Sequence, residues 1–382
     1  MSGDDTMMKA CHYHKHGRST YVVGDVPRPS ENDLEDGQVL VKVQCASLNP
    51  ADWKSAEGGQ AMLLSFAWPR IFGFDFSGTV VASRSTYANG DKVFGMIRGL
   101  PQFHRGTLAE YVIVDGDVCA PCPSNVSHAD CAAVPLVAIT AVKMLDACKL
   151  QRFPKAKSGP RVFITGGAGG MGTILIQLAK AMYGCSEIVT TASPGKKTSL
   201  CQSLGATKVV NYREERFEKV LSSDNDSDLF DAILDCTGEA KRCVSLLKQG
   251  GHMCSILAGP GVEAIRTWMK EARIDSSKAT FGVSSFLHSS IGGSLVNCFS
   301  GNASLARKCA KRGGGGFHHV IGTGNGEIMK IIADLMKSGS VKAVIDKNYS
   351  LDDAIEAISY QKSGRAAGKV VVTVGDDAAL SS

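Results

Sequence analysis

The chain predicts an α/β protein of two domains: a mostly-β domain from its first third, and a doubly wound parallel sheet from most of the remainder. Three observations lead there. Short β-branched runs punctuated by proline and glycine fill roughly the first 130 residues. Beyond them, apolar strand-like runs alternate with segments of helical period, the pattern of a parallel sheet covered on both faces. Between one such strand and helix stands VFITGGAGGMG, residues 162–172, which places five glycines within seven residues. A length of 382 residues accommodates about two cores.

Taken in order, VLVKVQCASL, GTVVAS, GDKVFGM and LAEYVIV read as strands of a bent or barrel-like antiparallel sheet. ADCAAVPLVAITAVKMLDAC then carries a helical period and leads through polar QRFPKAKSGP to the strand RVFIT. TILIQLAKAMYG sets Ile174, Leu175, Leu178, Ala179 and Met182 on one helical face, with Gly184 as its stop. Strand EIVTTA, helix TSLCQSLG, strands KVVNY and FDAILDC, helix AKRCVSLLKQG and strand HMCSILAG follow. Residues 262–312 are less regular: VEAIRTWMKEA has a helical period, and the Gly313–Gly316 run predicts a loop. GEIMKIIADLMKSG and LDDAIEAISYQKSG are amphipathic helices, and KVVVTV closes as a strand.

Composition narrows the function classes. Hydrophobic content of 44% and charged content of 21% describe a soluble globular protein. The net charge of +5 is spread thinly, so no nucleic-acid or membrane footprint is expected. No run reaches the ~18 apolar residues of a membrane span, and MSGDDTMMKACHYHKHG lacks the apolar core of a secretory signal. Thirteen cysteines, an odd number without framework spacing, include Cys148, Cys201, Cys236 and Cys243 in apolar periodic segments. They predict reduced thiols and a cytoplasmic location, with the mitochondrion left open.

Glycine costs stability in a strand–helix turn unless the backbone must stay bare. A dinucleotide diphosphate demands that: it seats on a helix N-terminus, against unpaired N–H groups, with glycines permitting the tight turn and close approach. Gly166, Gly169 and Gly172, with Gly170 and Met171 between them, are the expected cradle. The acid that usually holds a ribose 2′-hydroxyl about 20 residues onward is absent, for the second strand ends in Thr190, Thr191, Ala192 and Ser193, and Lys196 and Lys197 follow. Hydroxyls and ammonium groups suit a 2′-phosphate, so NADPH is expected rather than NADH.

In the order of its segments the chain resembles the medium-chain dehydrogenase/reductase superfamily, within it the zinc-free quinone-oxidoreductase and enoyl-reductase branch. QVLVKVQCASLNPADWK, PRIFGFDFSGTV, GDKVFGM, GTLAEYVIV, PLVAITAVKML, GGAGGMGTILIQLAK, LGATKVVNY, FDAILDCTG, LLKQGG and GRAAGKVVV carry the likeness over nearly the whole length. The resemblance implies a GroES-like catalytic domain over residues 1–134 and 346–382, a Rossmann-type NADP-binding domain over 135–345, and a homodimer. Where zinc-dependent members carry a cysteine this chain has SLNPADW, and where they carry Gly-His-Glu it has Gly73-Phe74-Asp75, so no metal is expected. Cys119, Cys122, His128 and Cys131 can be written as a ligand set, but two prolines interrupt it and packing is the expected role. Neither the His12, His14 and His16 group nor His318-His319 has ligand spacing that stands out.

Loss of a polarising metal disfavours simple alcohol oxidation and leaves hydride addition to an acceptor already activated, a quinone or an α,β-unsaturated carbonyl. By resemblance, Asn49 contacts the nicotinamide ribose or the acceptor oxygen, Asp52 is the recurring acid of the same loop, and Lys54 stabilises an enolate or donates a proton. Each has a plainer alternative: loop orientation for Asp52, a solvated cation for Lys54. Thr140, Tyr212 and Leu257 match positions lining the cofactor and Lys369 matches the family's closing lysine near the cleft, with packing or structural roles as the alternative. Ser193 and Lys197 are the cofactor residues of the second strand's end, with solvated surface charge as the alternative for the lysine. An NADPH-binding sensor or assembly partner, and an enoyl-thioester reductase, are the competing readings.

Overall fold

The structure, a computed structural model, describes residues 6–15, 17, 21–57, 69–98, 106–154, 159–257, 267, 270–271, 273, 302–313 and 315–375. These form two compact units: one takes the described residues within Met1–Ile139, Met269–Ser284 and Thr323–Ser382, the other those within Thr140–Trp268 and Ser285–Gly322. The expected helix VEAIRTWMKEA and most of the 262–312 segment lie outside the described residues, as does His16.

In chain order the strands are β1 (Met7–Tyr13), β2 (Tyr21–Pro27), β3 (Gln38–Leu48), β4 (Arg70–Ile71), β5 (Asp75–Ser83), β6 (Lys92–Met96), β7 (Tyr111–Asp115) and β8 (Cys119–Pro121). The second unit carries β9 (Arg161–Ile164), β10 (Glu187–Ala192), β11 (Lys208–Asn211), β12 (Phe230–Asp235), β13 (Leu247–Ser255) and β14 (Phe317–His318). β15 (Ile345–Ser350) and β16 (Lys369–Thr373) return to the first. Helices are α1 (Pro50–Ala56), α2 (His128–Ala132), α3 (Pro135–Ala147), α4 (Gly170–Ala181), α5 (Lys196–Leu204), α6 (Phe217–Val220) and α7 (Ala240–Cys243). Three more follow among the described residues: α8 (Asn302–Ala310), α9 (Gly326–Lys337) and α10 (Ala354–Lys362).

The first unit is built on a sheet ordered β15-β16-β3-β5-β6-β8, with β7 also paired to β3, beside a smaller β2-β1-β4 sheet. Ten of the eleven β3 residues are buried, which explains why VLVKVQCASL reads as nearly continuous apolar sequence rather than an alternation. Tyr13, Phe72, Leu108, Ile358 and Val372 meet in one core cluster, so the chain's last strand and its first share a hydrophobic interior.

In the second unit six strands run in the order β11-β10-β9-β12-β13-β14, and every recorded pairing is parallel. From β9 the sheet grows to one side through β10 and β11 and then to the other through β12, β13 and β14, so the end of β9 is the topological switch point, where open α/β sheets bind ligands. Phe163 packs against Phe217 and Phe230 with ring centroids 5.3 and 5.5 Å away, in the core beneath it.

Two expectations differ from the structure. The helical stretch from Ala129 to Cys148 is two helices, α2 and α3, because Pro135 has no N–H to continue the first and instead opens the second. The helix expected over 240–250 stops at Cys243 and the strand begins at Leu247: Leu246 and Leu247 are both fully buried, and a short apolar run does not distinguish helix from strand.

At the switch point Gly166 sits at φ 72°, a conformation that favours glycine, and its N–H donates to Thr191 Oγ1 at 2.9 Å. A Cβ on Gly172 would stand 2.3 Å from the Gly166 carbonyl oxygen and 2.5 Å from Gly167 Cα, both backbone atoms that cannot step aside. On Gly169 the same methyl would meet only the Gly166 oxygen, at 3.5 Å. Gly172→Ala should therefore lower stability by about 1–3 kcal/mol, the usual cost of overpacking, whereas Gly169→Ala should change it by less than about 0.5 kcal/mol. Urea unfolding of the two variants beside the parent checks this, and equal effects would contradict it.

Candidate active site

Within the first unit, a buried polar cluster forms where β16, β3 and β5 lie side by side. Register places Ser47 of β3 opposite Asp75, the first residue of β5, and Leu48 opposite Val370 of β16. Lys369, Ser47, Asn49 and Asp75 therefore converge although Asn49 and Lys369 lie 320 residues apart. Asp75 Oδ2 accepts from Asn49 Nδ2 at 2.8 Å, Ser47 Oγ at 3.0 Å and Lys369 Nζ at 3.3 Å. Its Oδ1 accepts from the Leu136 N–H at 2.9 Å, an amide in the first turn of α3 whose helix dipole favours a negative partner. Lys369 Nζ also donates to Asn49 Oδ1. Asp75 is fully buried and Lys369 nearly so, an arrangement tolerated only because every charge is matched by a partner.

Asn49 is the N-cap of α1, with extended backbone and Pro50 as the first helical residue. Its N–H donates to Asp52 Oδ2 at 2.5 Å, closing the turn. Asp52 Oδ1 is buried with no hydrogen-bond partner among the described residues. Burial pushes Asp52 well above its ordinary 3.8, with Asp75 adding in the same direction, and burial lowers Lys369 from its ordinary 10.5. The cluster thus holds one ion pair and one acid that resists ionisation.

The second unit presents the glycine turn. No side chain caps α4 at Gly169, so its first amides are available to an external acceptor. Gly167 N–H donates to the Thr191 carbonyl at 2.9 Å, and Thr190 Oγ1 to the Ile164 carbonyl at 2.7 Å, which locks the ends of β9 and β10 together. Next along the switch, Asp235 at the end of β12 is fully occupied. It accepts from the hydroxyls of Thr165 and Ser255 and from the N–H groups of Thr237, Gly238, Glu239 and Ala240. That carboxylate fastens three strand ends and has no capacity left for a ligand.

Two family models match the chain: an alcohol dehydrogenase GroES-like domain over residues 35–124, and a zinc-binding dehydrogenase over 204–372. The 2-methylene-furan-3-one reductase of Solanum lycopersicum is 32% identical, covering 96% of this chain and 79% of its own. The chain belongs to the medium-chain dehydrogenase/reductase superfamily, in its quinone-oxidoreductase-like branch. The NADPH-dependent alkenal/one oxidoreductase of Arabidopsis thaliana is 28% identical over 89% of this chain and 73% of its own. Among solved structures, the quinone oxidoreductase of Coxiella burnetii superposes with a TM-score of 0.72 at 26% identity, covering 97% of this chain and all of the other. The α/β fold with a GroES-like domain and a Rossmann-like parallel sheet follows, and membership makes this medium-chain oxidoreductase a nicotinamide-dependent enzyme.

Of the expected site residues, Asn49, Asp52 and Lys369 are brought together, and Asp75 and Ser47 join them. Lys54 is exposed, with Nζ 5.5 Å from the centre of the Trp53 ring. In the second unit Gly166, Gly169, Gly170, Met171 and Gly172 form the turn. Ser193 follows β10, and Tyr212 follows β11. Because Ala192 pairs with Asn211, these two residues emerge side by side at the carboxyl edge of the sheet. Tyr212 is 52% exposed and Leu257, just beyond β13, 46%. Lys197 lies in the first turn of α5. The Thr140 hydroxyl is buried without a partner among the described residues.

One family model is described by zinc, yet the donors in the buried cluster do not suit a metal. Phe74 offers no ligand atom, and Asp75 is committed to a lysine that a cation would have to displace. Asp52 resists the ionised form a metal would require. Among the described residues no group of three or more His, Cys, Asp or Glu is arranged to hold a metal ion, and no helix is long and apolar enough to cross a membrane.

Asp75 and Asp235 were not among the expected residues. A polar residue at the end of an apolar strand was the available signal, since Asp75 opens DFSGTVV and Asp235 ends FDAILD. The raised Asp52 supplies a test. An acid whose folded-state pKa exceeds its unfolded value keeps its full contribution to stability below the unfolded value, near 3.8, and loses it as pH rises toward the folded one. The stability of the parent relative to Asp52→Asn should therefore fall as pH is raised from about 3 to about 7. Urea unfolding at a series of pH values measures it; parallel curves would mean Asp52 ionises normally in the folded chain.

Proposed function

We propose that the chain transfers a hydride from NADPH to a quinone or an α,β-unsaturated carbonyl without a metal. The observation that carries this reading is the carboxyl edge of the parallel sheet: a bare glycine turn at the switch point, and beside it a strand end that offers hydroxyls in place of a carboxylate. Relatives support it, for one is named an NADPH-dependent alkenal/one oxidoreductase and another a 2-methylene-furan-3-one reductase. A trans-enoyl reductase of Aspergillus terreus, 30% identical over 90% of this chain, favours enoyl reduction as the second reading of the acceptor.

NADPH, when bound, supplies the hydride. On this reading the amides of Gly170, Met171 and Gly172 and the α4 N-terminus hold the diphosphate, while Ser193, Lys197 and Tyr212 hold the 2′-phosphate. The unpartnered Thr140 hydroxyl and the backbone at Leu257 complete the cofactor contacts. In the first unit Lys369 and Asp75 fix the Asn49 side chain from both ends, leaving its amide one N–H to donate toward a ribose or acceptor oxygen. A preorganised donor of that kind stabilises negative charge that develops on the acceptor as the hydride arrives. Asp52 keeps the Asn49 turn closed. Lys54, on the solvent side of α1, is the group to deliver the closing proton. A homodimer in the cytoplasm is the setting we assign to it.

The test is turnover of NADPH, followed at the nicotinamide absorbance band, with a panel of quinones, 2-alkenals and enones. Reduction of at least one class is expected, with Asn49→Ala lowering kcat by at least about tenfold. Ser193→Asp combined with Lys197→Glu should raise the Kd for NADPH at least about tenfold and leave that for NADH within about threefold. Tight NADPH binding with no turnover of any acceptor would favour the sensor reading, and parallel loss of both cofactors would overturn the 2′-phosphate assignment.

A further inference from the structure

The first unit holds a second reactive cluster that the proposed hydride transfer does not use. Cys122 follows β8 and is partly exposed, while Cys131 lies buried in α2. The Cys131 thiol hydrogen-bonds to the Cys122 sulfur. Ser77 Oγ, on β5, stands 3.3 Å from Cys122 Sγ and 2.6 Å from His128 Nδ1, and His128 also hydrogen-bonds with Cys122. Three hydrogen-bonding groups thus converge on one sulfur. Nearby Cys119 is different: its thiol is buried and turned toward the Asp115 carbonyl at 3.6 Å.

These contacts sort the two thiols into distinct roles. Donation from Cys131, with His128 and Ser77 adding to it, favours the thiolate at Cys122 and pulls its pKa down to about 5 despite partial burial. Cys131 is pushed the opposite way, first by the hydrogen bond it gives to Cys122 and then by burial. An accessible thiolate beside a protonated thiol is the pairing of an attacking and a resolving cysteine. Most of the other described cysteines are buried and shifted upward by desolvation, among them Cys11, Cys45, Cys148 and Cys201.

We propose that Cys122 and Cys131 form a reversible oxidation site, in which a hydroperoxide oxidises Cys122 and Cys131 closes the product to a disulfide. In the first step the Cys122 thiolate attacks the outer oxygen of the hydroperoxide. The O–O bond breaks, the leaving alkoxide or hydroxide takes a proton from water, and Cys122 becomes a sulfenic acid. In the second, the Cys131 sulfur attacks the Cys122 sulfur, the S–O bond breaks, and water leaves with the Cys131 proton. Two electrons pass to the peroxide, and a dithiol reductant returns them through thiol–disulfide exchange. The site adjoins the buried cluster through two routes: Ser77 is two residues along β5 from Asp75, and Cys131 is five residues before Leu136, whose N–H holds Asp75.

The proposal does not depend on which acceptor the enzyme reduces, so it is tested on the reduced full-length chain without any acceptor. Iodoacetamide should label Cys122 at least about tenfold faster than Cys45, Cys148 or Cys201. After brief exposure to hydrogen peroxide, non-reducing peptide mapping should show Cys122 joined to Cys131, and dithiothreitol should undo the link. In Cys131→Ser, dimedone should tag Cys122; in Cys122→Ser, Cys131 should stay a thiol. Mapping of the parent decides the matter even if a variant fails to fold. Oxidation at other cysteines while this pair remains reduced would overturn the proposal. So would a Cys122 that runs to the sulfinic acid, or that pairs with Cys119.

Discussion

The Asp75 carboxylate is the point on which the first unit closes. Four donors reach it from β3, the α1 cap, the start of α3 and β16, segments that lie near residues 47, 49, 136 and 369 of the chain. A charge so deep is unfavourable unless matched, and the match comes from Lys369, which arrives only when the final strand has joined β3. The same contact that neutralises Asp75 therefore records that the two ends of a discontinuous unit have met. It also fixes Asn49, because the lysine and the carboxylate grip opposite ends of that amide. Fold closure and placement of the candidate donor become one event.

The second unit solves a related problem with backbone instead of charge. Asp235 draws four N–H groups and two hydroxyls, so the ends of β9, β12 and β13 are rigid around it. Two glycines of the Gly166–Gly172 turn must stay bare, for a Cβ on Gly172 would strike backbone and one on Gly167 would strike Thr190. The two carboxylates stand in contrast to the strand end at Ser193, which has none. A 2′-phosphate would find hydroxyls there and a lysine in the first turn of α5.

Much of this was legible in order. Apolar runs such as VFIT and AILD announced buried strands, and the period of GEIMKIIADLMKSG announced α9, because burial on two faces and burial on one stripe leave different patterns. Local reading failed where tertiary packing decides: from Leu247 to Gly250 the chain is strand rather than helix, because Leu246 and Leu247 are drawn into the core. The glycine turn was readable because its steric demand falls within a dozen residues. Asn49, Asp52 and Lys369 were singled out by resemblance, but the reason they belong together was not visible. That reason is strand register across 320 positions, with Asp75 at its centre, and no spacing along the chain expresses it. Cys122, His128 and Cys131 can be grouped by spacing, with packing as the expected role; Ser77, which meets Cys122 and His128, comes from a different strand and no spacing points to it.

The most direct test of the central claim is a double-mutant cycle of Asp75→Asn and Lys369→Met, read by urea unfolding. Each single variant leaves one buried group without its counter-charge and should lose about 3–5 kcal/mol. The double variant, which carries neither charge, should lose less than the sum by at least about 2 kcal/mol. Losses that simply add would contradict the account and show that the two residues stabilise the unit independently.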